Sequence, residues 1–298
     1  MKSNKSIHRD SIDIVIVNYN SSSHLEKCIE SIKASADSFP ITFYVVDNHS
    51  SDDIHRVVTL YPEVNFSLNK KNLGFAAAVN QALKQGSAPY VVLINPDAHV
   101  TPGFFESVVS YMNSNTDVGI VGPKILNSDG SVQGSARSFP NTLTGLFGRT
   151  SLLTRLFPNN RISRANILTH SRHVKFPAKV DWVSGACMIV RRPAIAQVGG
   201  MDERFFMYWE DADWCTRMRK KNWKVIYYPM VSVIHHVGVS SNHRKLGSIF
   251  EFHKSVYRLY EKYADSRLFM LKPFVFSALC VRFMIIVFFQ YMKTLYSR

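Results

Sequence analysis

Apolar runs and helical periodicity alternate through the first half of the chain. Short apolar runs rich in β-branched residues predict buried strands at 12–17, 41–46, 64–68, 90–94 and 118–121. Helical spacing predicts helices that begin near Ser23, with Glu26 completing a capping box, at 54–60, at 75–85 and after Thr101-Pro102. This alternation predicts an α/β fold with a mostly parallel, doubly wound sheet, whose ligands lie at the carboxyl ends of its strands.

The second half of the chain keeps strand and helix signals but loses the strict alternation. Residues 136–180 contain no acidic side chain and show rough helical spacing of leucine and phenylalanine. Beyond them the pattern predicts a strand at 180–190, a helix at 211–221, short strands at 224–227 and 231–234, and a helix at 246–263. Asn222 follows a cationic helix end, which predicts a left-handed cap at that position.

Residues 268–292 form the most apolar stretch of the chain, interrupted by Lys272 and Arg282. A membrane-spanning helix needs about 20 apolar residues, and an arginine at the bilayer centre costs about 2.5–3.5 kcal/mol on insertion scales. Arg282, Gln290 and Lys293 fall near one face of a helix, which favours a helix lying in the membrane interface over one that crosses the membrane. A core helix that closes the domain is the alternative.

Composition places the chain among ordinary globular proteins. It has 298 residues, 46% of them hydrophobic and 19% charged, which excludes collagen-like, disordered and mini-protein classes. The net charge of +14 is uneven: −3 over 1–129, +8 over 130–180, −3 over 181–216 and +12 over 217–298. A uniformly basic nucleic-acid-binding protein would lack such alternation. Four widely spaced cysteines and a polar N-terminus without a signal-peptide core predict a reducing, cytoplasmic setting.

Small polar side chains follow three of the predicted strands. Asn18 and Asn20 follow the first strand, Asp47 the second, and Asn95 and Asp97 the fourth. The chain has neither a G-x-G-x-x-G fingerprint nor a Walker A loop. A nucleotide held by Asp47 and the asparagines fits the pattern, with Asp97 as the carboxylate for a divalent cation that also binds phosphate oxygens. Taken singly, each position also fits an ordinary Asx turn.

Two later segments carry further candidate chemistry. Residues 199–213 run from a Gly-Gly turn through aromatic side chains to three carboxylates, with Glu210 and Asp211 opening a helix. A carboxylate among aromatic rings is a candidate general base because partial desolvation raises its pKa, and an acidic first helical turn without function is the alternative. His235 and His236 end a predicted strand and are candidate ligands of a metal or a phosphate.

Taken in order, these segments resemble glycosyltransferase family 2, the inverting enzymes of GT-A fold. The matching stretches are VNYN at 17–20, VDNHSSD at 46–52, NLGFAAAVN at 72–80, NPD at 95–97, WVSGACMIVRR at 182–192, GGMDERFFMYWEDADWCTRMR at 199–219 and HHVGVSS at 235–241. The subgroup that the chain is most similar to contains bacterial rhamnosyltransferases that use a dTDP-sugar to build envelope glycans.

The resemblance implies roles for particular residues. Asp211 matches the catalytic base. Asp97 would face the metal and the diphosphate, together with His235 or His236, of which His235 fits the spacing better. Asn95 stands where the family's D-x-D motif has its first carboxylate. The residues expected to bind the nucleotide-sugar are Asn18, Asn20, Asp47, Asn72, Gly74, Asn95, Asp97, Gly185 and Glu210.

The resemblance also implies an architecture and a reaction. A GT-A domain is expected at 1–242, with a nucleotide-binding half at 12–130 and an acceptor half at 131–242, followed by a basic, apolar, membrane-associating helical extension at 243–298. The expected reaction is transfer of a sugar, with L-rhamnose as the leading candidate, from a dTDP- or UDP-sugar to a lipid-linked or polysaccharide acceptor. A divalent cation, Mg²⁺ or Mn²⁺, would assist at the cytoplasmic face of the inner membrane, without a nucleic-acid partner. A basic nucleic-acid-binding protein and a non-catalytic scaffold are the alternatives.

Overall fold

The computed structural model describes residues 10–36, 39–139, 174–236 and 245–296. Within them the strands are β1 (Ile12–Asn18), β2 (Ile41–Asp47), β3 (Asn65–Leu68), β4 (Tyr90–Ile94), β5 (Ala98–Val100), β6 (Val118–Leu126), β7 (Ala136–Arg137), β8 (Ala178–Lys179), β9 (Trp182–Val183), β10 (Cys187–Arg191) and β11 (Lys224–His235). The helices are α1 (Ser22–Ser35), α2 (Ile54–Leu60), α3 (Phe75–Leu83), α4 (Phe104–Ser114), α5 (Arg192–Val198), α6 (Glu210–Lys220), α7 (Lys245–Tyr263), α8 (Ser266–Phe269) and α9 (Lys272–Tyr296).

One twisted sheet of nine strands organises the described chain, in the order β3-β2-β1-β4-β10-β6-β11-β5 with β8 paired to β11. Strands β3, β2, β1 and β4 run parallel, as do β6 and β11, whereas β10 runs antiparallel to both β4 and β6. Strands β7 and β9 form a separate antiparallel pair. The expected α/β class with a mostly parallel central sheet is confirmed.

Helices cover both faces of the sheet, which explains why its central strands are apolar along most of their length. All seven residues of β1 and all five of β4 are buried. One hydrophobic cluster joins the sheet to α1, α2 and α4, and a second joins the opposite face to α3, α5 and α6. A strand that is covered on both faces has no polar side to present, so it reads as a continuous apolar run.

The order of the strands determines where in the sheet a ligand site is expected. From β1 the chain goes first to β2 on one side and later to β4 on the other, so the strand order reverses between β1 and β4. In a doubly wound sheet the crevice at that reversal lies at the carboxyl ends of the strands. Strand β10 is antiparallel to β4, and Cys187 pairs with Ile94, so the residues just before β10 reach the same edge.

Several predictions of local structure hold and others are wrong. The sequence Asn127-Ser-Asp-Gly130, which is typical of a hairpin turn, forms a hairpin in which Asn127 N donates to the Ser131 carbonyl at 2.8 Å. Asn222 has φ 64° just beyond α6, as a left-handed cap requires. The capping box of Ser23 and Glu26 is wrong: α1 begins at Ser22, whose backbone N donates to Asp52 Oδ2 at 2.7 Å.

The strands of the second half differ from their prediction. The single strand expected at 180–190 is two strands, β9 and β10, separated by a turn at 184–186. The two strands expected at 224–227 and 231–234 are one strand, β11, whose pairing to β6 shifts register between Tyr228 and Ser232. The helical spacing noted within 140–173 lies outside the described residues.

The last helix presents an apolar surface to solvent. Its inner face packs on α7, where Phe283 lies 6.0 Å from Phe250 and Phe276 lies 5.4 Å from Tyr257, between ring centroids. The apolar outer face of α9 consists of Phe274, Val281, Met284, Ile285, Phe288 and Phe289, which are 49–73% exposed. Residues 272–292 have a mean hydropathy of 2.0, with none of that stretch buried. The core-helix alternative is therefore wrong.

Candidate active site

A buried cluster around Asp47 joins the carboxyl ends of β1 and β2. Asp47 is 3% exposed, and its carboxylate accepts from Asn18 Nδ2 at 2.9 Å, Ser50 Oγ at 2.5 Å and Ser50 N at 2.9 Å. Asn20, in a left-handed conformation, donates from its backbone N to Ser50 Oγ at 2.8 Å. These bonds fix the carboxylate before any ligand arrives. Asn18 Oδ1 is buried and finds no donor among the described residues.

A second layer of asparagines connects this cluster to the loop before α3. Asn48 Nδ2 donates to the Gly74 carbonyl at 3.0 Å, and Asn72 Oδ1 accepts from Gly74 N at 2.9 Å. Sequence reasoning missed Asn48 and Ser50 as organisers of this pocket, although both stand in the stretch that carried the resemblance. A polar loop gives no sequence signal for which of its side chains point inward.

Gly74 brings this loop against the segment that precedes α6. Its φ of 88° and ψ of 166° lie in a region that is essentially open only to glycine. The next residue, Phe75, donates from its backbone N to the Phe206 carbonyl at 2.7 Å. A Cβ atom on Gly74 would lie 2.6 Å from that carbonyl oxygen. Close packing of the two loops therefore requires glycine at this position.

An acid–histidine pair lies where β4, β5 and β11 meet. Asp97 is 4% exposed and places Oδ1 3.3 Å from His235 Nε2, while Asn95 Nδ2 lies 3.3 Å from the same nitrogen. Gln133 Nε2 donates to the His235 carbonyl at 2.9 Å, so Gln133 Oε1 is the acceptor for His235 Nδ1 at 3.1 Å. In the neutral imidazole this leaves the lone pair of Nε2 facing both the Asn95 amide and the Asp97 carboxylate.

A divalent cation fits between these two atoms. A carboxylate oxygen and a nitrogen lone pair repel each other unless positive charge lies between them, and carboxylates are ligands that magnesium and manganese prefer. Within the described ranges no three His, Cys, Asp or Glu side chains converge as a metal site. The protein would therefore supply two ligands, Asp97 and His235, and leave the remaining positions to phosphate oxygens and water.

His236 is directed away from this pair. Its Nδ1 lies 2.7 Å from Ser128 Oγ, and its ring centroid lies 5.2 Å from that of His99. The sequence left His235 and His236 as alternative ligands of the metal or the diphosphate. The side chain beside Asp97 is that of His235, because successive residues of a strand alternate between faces.

Asp211 stands in the first turn of α6 and is held by two backbone donors. Its Oδ2 accepts from Gly185 N at 2.9 Å and its Oδ1 from Ala212 N at 2.7 Å. The carbonyl of the residue after Gly185 accepts from Asn95 N at 3.0 Å, which brings Asp211 to the edge that carries the acid–histidine pair. Burial raises the pKa of Asp211 above 3.8, and the two backbone donors oppose this rise.

Glu210 is the buried neighbour of Asp211. It is 6% exposed, and its Oε2 has no hydrogen-bond partner among the described residues. Burial and then the negative charge of Asp211 raise the pKa of Glu210 well above 4.5. Two adjacent carboxyls with unequal surroundings divide into one proton holder and one base. The sequence placed Glu210 among the residues expected to bind the nucleotide-sugar; in the structure it lies buried beside Asp211 at the start of α6.

Fold and site together define the class of protein. A doubly wound domain with an asparagine-rich pocket, an acid–histidine pair and a held carboxylate on one edge is the arrangement of a GT-A glycosyltransferase. The chain belongs to glycosyltransferase family 2, because the family model described as "Glycosyl transferase family 2" matches residues 13–199.

Curated relatives and solved structures agree with this family. The chain is 33% identical over 260 residues, 83% of both chains, to "N-acetylglucosaminyl-diphospho-decaprenol L-rhamnosyltransferase" of Mycobacterium tuberculosis. It is 22% identical over 253 residues to "Rhamnosyltransferase WbbL" of Escherichia coli, covering 82% of this chain and 90% of that one.

The crystal structure of S. aureus TarS 1–349 matches with a TM-score of 0.54 and 13% identity, over 91% of this chain and 70% of that one. That of GalNAc-T7 with UDP, GalNAc and Mn²⁺ matches with a TM-score of 0.58 and 13% identity, over 86% and 48%. At such identities the structures show a shared fold.

Proposed function

We propose that this glycosyltransferase moves L-rhamnose from dTDP-rhamnose, with inversion, to a hydroxyl of a lipid-linked acceptor in cell-envelope glycan biosynthesis. The relatives named as rhamnosyltransferases support the donor sugar, and one of them is named for a diphospho-decaprenol acceptor. Another dTDP- or UDP-sugar is the alternative donor. We place the reaction at the cytoplasmic face of the inner membrane, in a catalytic unit at 1–242 with a membrane-associating extension at 243–298.

The observation that carries this proposal is the position of Asp211 relative to Asp97 and His235. The held carboxylate and the cation-binding pair lie on one edge, linked through Gly185 and Asn95. Transfer from a nucleoside diphosphate sugar needs stabilisation of the leaving diphosphate and removal of a proton from the acceptor hydroxyl. Both requirements are met at this edge.

The residues divide the chemistry between them. Asn18, Asn20, Asp47, Asn72 and Gly74 would hold the nucleoside, and Asn95 with Asp97 would face the diphosphate. A divalent cation held by Asp97 and His235 would neutralise the charge that develops on the diphosphate. Asp211 would accept the proton of the acceptor hydroxyl during in-line attack on the anomeric carbon. Because burial and the charge of Asp211 raise the pKa of Glu210, Glu210 would hold the proton of the pair and leave the negative charge on Asp211.

The apolar outer face of α9 supports contact with a bilayer. Six large side chains project from it, and the segment 217–298 carries a net charge of +12, which suits an anionic leaflet at about 1 kcal/mol per well-placed Lys or Arg. Charged residues of α7, among them Lys254 and Glu261, lie on the helix against which α9 packs. A crossing α9 would draw these charges into the hydrocarbon core, so we propose that α9 lies in the interface.

A transfer assay with purified protein tests the proposal. The protein is incubated with dTDP-rhamnose, a lipid-linked N-acetylglucosaminyl diphosphate and Mg²⁺ or Mn²⁺, and the glycan product is measured. We expect Asp211→Asn to lower the rate by about 10²–10⁴-fold, because it removes a general base, while calorimetry still detects dTDP binding. Asp53→Asn is the matched control: it removes a charge from the cap of α2, where asparagine caps equally well. Transfer at the wild-type rate by Asp211→Asn would contradict the assignment of the base.

The same assay separates the alternatives that the sequence leaves open. A non-catalytic scaffold would bind the nucleotide and transfer no sugar with any donor. A basic nucleic-acid-binding protein would bind duplex DNA or RNA with an affinity that falls steeply with salt. Membership of the family and the held position of Asp211 favour the enzyme.

A further inference from the structure

Two consecutive residues just before α6 have a backbone conformation that side chains rarely adopt. Tyr208 has φ 72° and Trp209 has φ 69°, both in the left-handed region that favours glycine or asparagine. Strain of this kind persists only where surrounding contacts enforce it, and it gathers at ligand-binding sites. The proposed base, Asp211, follows two residues after Trp209.

Three contacts from two helices, α3 and α7, enforce the conformation of this aromatic loop, 206–209. Its first carbonyl, that of Phe206, is bound by the start of α3 at 2.7 Å. Ser255 of α7 donates from Oγ to the Met207 carbonyl at 2.9 Å, and the ring of Tyr208 lies 5.8 Å from that of Phe252, also on α7. The loop is thus fixed from the nucleotide side by α3 and from the opposite side by α7.

Trp209 is the residue of this loop whose side chain is only partly engaged by the surrounding protein. Its ring is partly exposed, and it lies 5.8 Å from Trp182 and 6.0 Å from Phe252 between centroids. Trp209 Nε1 has no hydrogen-bond partner among the described residues. Trp182, in contrast, is fixed by donation from Nε1 to the Ser138 carbonyl at 3.1 Å. Because Trp209 Nε1 is itself buried, the part of the strained side chain that is open to a ligand is the exposed portion of its ring.

We propose that Trp209 forms the acceptor subsite, a platform on which the C–H face of the acceptor pyranose ring stacks and so presents its hydroxyl to Asp211. The proposal rests on the proposed function. Pyranose C–H groups carry partial positive charge and match the negative face of an aromatic ring. On the α3 side, the ring of Phe75 lies 3.9 Å from the position that a Cβ on Gly185 would take, next to Asp211. The side bounded by β9 and α7 is left for the acceptor, and α7 is the helix on which α9 packs.

Two substitutions of Trp209 test this subsite. Glycine tolerates the left-handed backbone and deletes the ring, so a loss in Trp209→Gly cannot arise from strain. Phenylalanine keeps a smaller ring without the Nε1 donor. The probe is N-acetylglucosaminyl diphosphate on a short-chain prenyl alcohol. We expect Trp209→Gly to raise the acceptor KM about tenfold or more and the donor KM by less than about twofold, with Trp209→Phe between wild type and Trp209→Gly.

A remote tryptophan provides the matched control. Trp223 Nε1 donates to Gln197 Oε1 at 3.0 Å, beyond the far end of α6, so Trp223→Phe should change neither KM. An acceptor KM that is unchanged in a folded, active Trp209→Gly variant would overturn the proposal. A parallel rise of donor and acceptor KM would overturn it as well, because it would show a structural role.

A binding measurement separates this inference from the proposed function. Saturation-transfer NMR records contact between the protein and the ring protons of the probe, in the presence of dTDP and Mn²⁺ and without turnover. Contact that is present in wild type and lost in Trp209→Gly supports the subsite even if no rhamnose is transferred, a result that would refute only the proposed reaction. Equal contact in both proteins refutes the subsite.

Discussion

Glu210 and Asp211 place two carboxyl groups side by side at the start of α6, and their surroundings give them different tasks. Asp211 receives two backbone hydrogen bonds, whereas Glu210 Oε2 receives none from the described residues. A proton on Glu210 relieves both its own burial and the repulsion between the pair. A proton held by the folded protein but released by the unfolded chain makes the free energy of unfolding depend on pH, and this dependence can be measured.

We expect Glu210→Gln to remove a loss of stability at alkaline pH. The folded protein holds a proton on Glu210 above 4.5, where the unfolded chain releases it, so the free energy of unfolding falls as pH rises through the interval between the two pKa values. The loss is about 1.4 kcal/mol per unit of pKa difference. Thermal unfolding should give equal Tm values for variant and wild type near pH 4.5 and a higher Tm for the variant at about pH 8.

Glu106→Gln is the control for this comparison, since Glu106 is an exposed acid in the first turn of α4. Its Tm should follow that of wild type across the whole range. A Glu210→Gln variant whose Tm difference from wild type does not change with pH would show that Glu210 is ionised in the folded protein.

At the residue scale the sequence located the polar side chains but not their orientation. Asn18 and Asp47 end buried strands, and that position is visible in a pattern of apolar runs. The choice of His235 over His236 depends on the register in which His235 pairs with Ala98. Register between strands that are distant in sequence is set by tertiary packing, and a single sequence does not display it.

Helix α7 is joined to helix α6, which carries Asp211, by a buried ionic cluster. Asp213 is fully buried, and its carboxylate accepts from Arg217 Nε at 2.8 Å, from Lys262 Nζ at 2.6 Å and from Tyr263 Oη at 2.7 Å. Lys262 also reaches Asp202 at 2.6 Å. Burial and the charge of Asp213 raise the pKa of Tyr263, so its hydroxyl remains a donor at any ordinary pH.

We expect Tyr263→Phe to lower the free energy of unfolding by about 1.5–3 kcal/mol, because it removes a hydrogen bond to a buried charge. Tyr257→Phe is a matched control on the same helix: its ring packs on Phe276, and its hydroxyl makes no hydrogen bond to the part of the chain that the structure describes. Urea unfolding of both variants checks this, with a change within about 0.5 kcal/mol for the control. Equal losses in the two variants would contradict the role given to the Asp213 bond.

At the element scale, the spacing of apolar residues predicted the strands and helices that bury their apolar positions at regular intervals. It failed where the backbone near the candidate site departs from regular secondary structure. The turn at 184–186 divides the stretch 180–190 at Ser184-Gly185, where Gly185 N donates to Asp211, and the prediction of a single strand passed over this small polar break. Tyr208 and Trp209 adopt left-handed conformations that neither residue type prefers. Such departures are expected at functional sites, where local preference yields to the requirements of binding.

At the scale of the whole molecule, α9 arranges its side chains in the reverse of the usual order for a soluble protein. The guanidinium of Arg282 faces inward and lies 5.7 Å from the ring of Phe252, while phenylalanine and methionine face outward. The sequence predicted a helix with one polar face. The structure shows that Arg282 of this face is turned toward α7, so contact with lipid would involve the apolar outer face of α9.

We expect Met284→Gln with Phe288→Gln to weaken binding to vesicles that contain phosphatidylglycerol. The two side chains are 61% and 58% exposed, so their replacement should not disturb the core. Burial of each in lipid contributes about 1.5 kcal/mol or more, which together corresponds to about a 100-fold loss of partitioning. Vesicle flotation measures it, and Leu60→Gln with Leu68→Gln, exposed apolar positions near the opposite end of the sheet, should bind as wild type. Unchanged flotation of the α9 variant would contradict interfacial docking.

The contact between α9 and α7 has a consequence for how the enzyme meets its acceptor. A protein that rests on the leaflet through α9 and opens its acceptor side beside α7 searches in two dimensions. Its rate then depends on the mole fraction of acceptor among the lipids around it, and not on the amount of acceptor per volume of cytoplasm. Dilution of the acceptor with inert phospholipid would slow such an enzyme even when the total acceptor is constant, and each encounter would begin from a lipid that is already oriented by the bilayer.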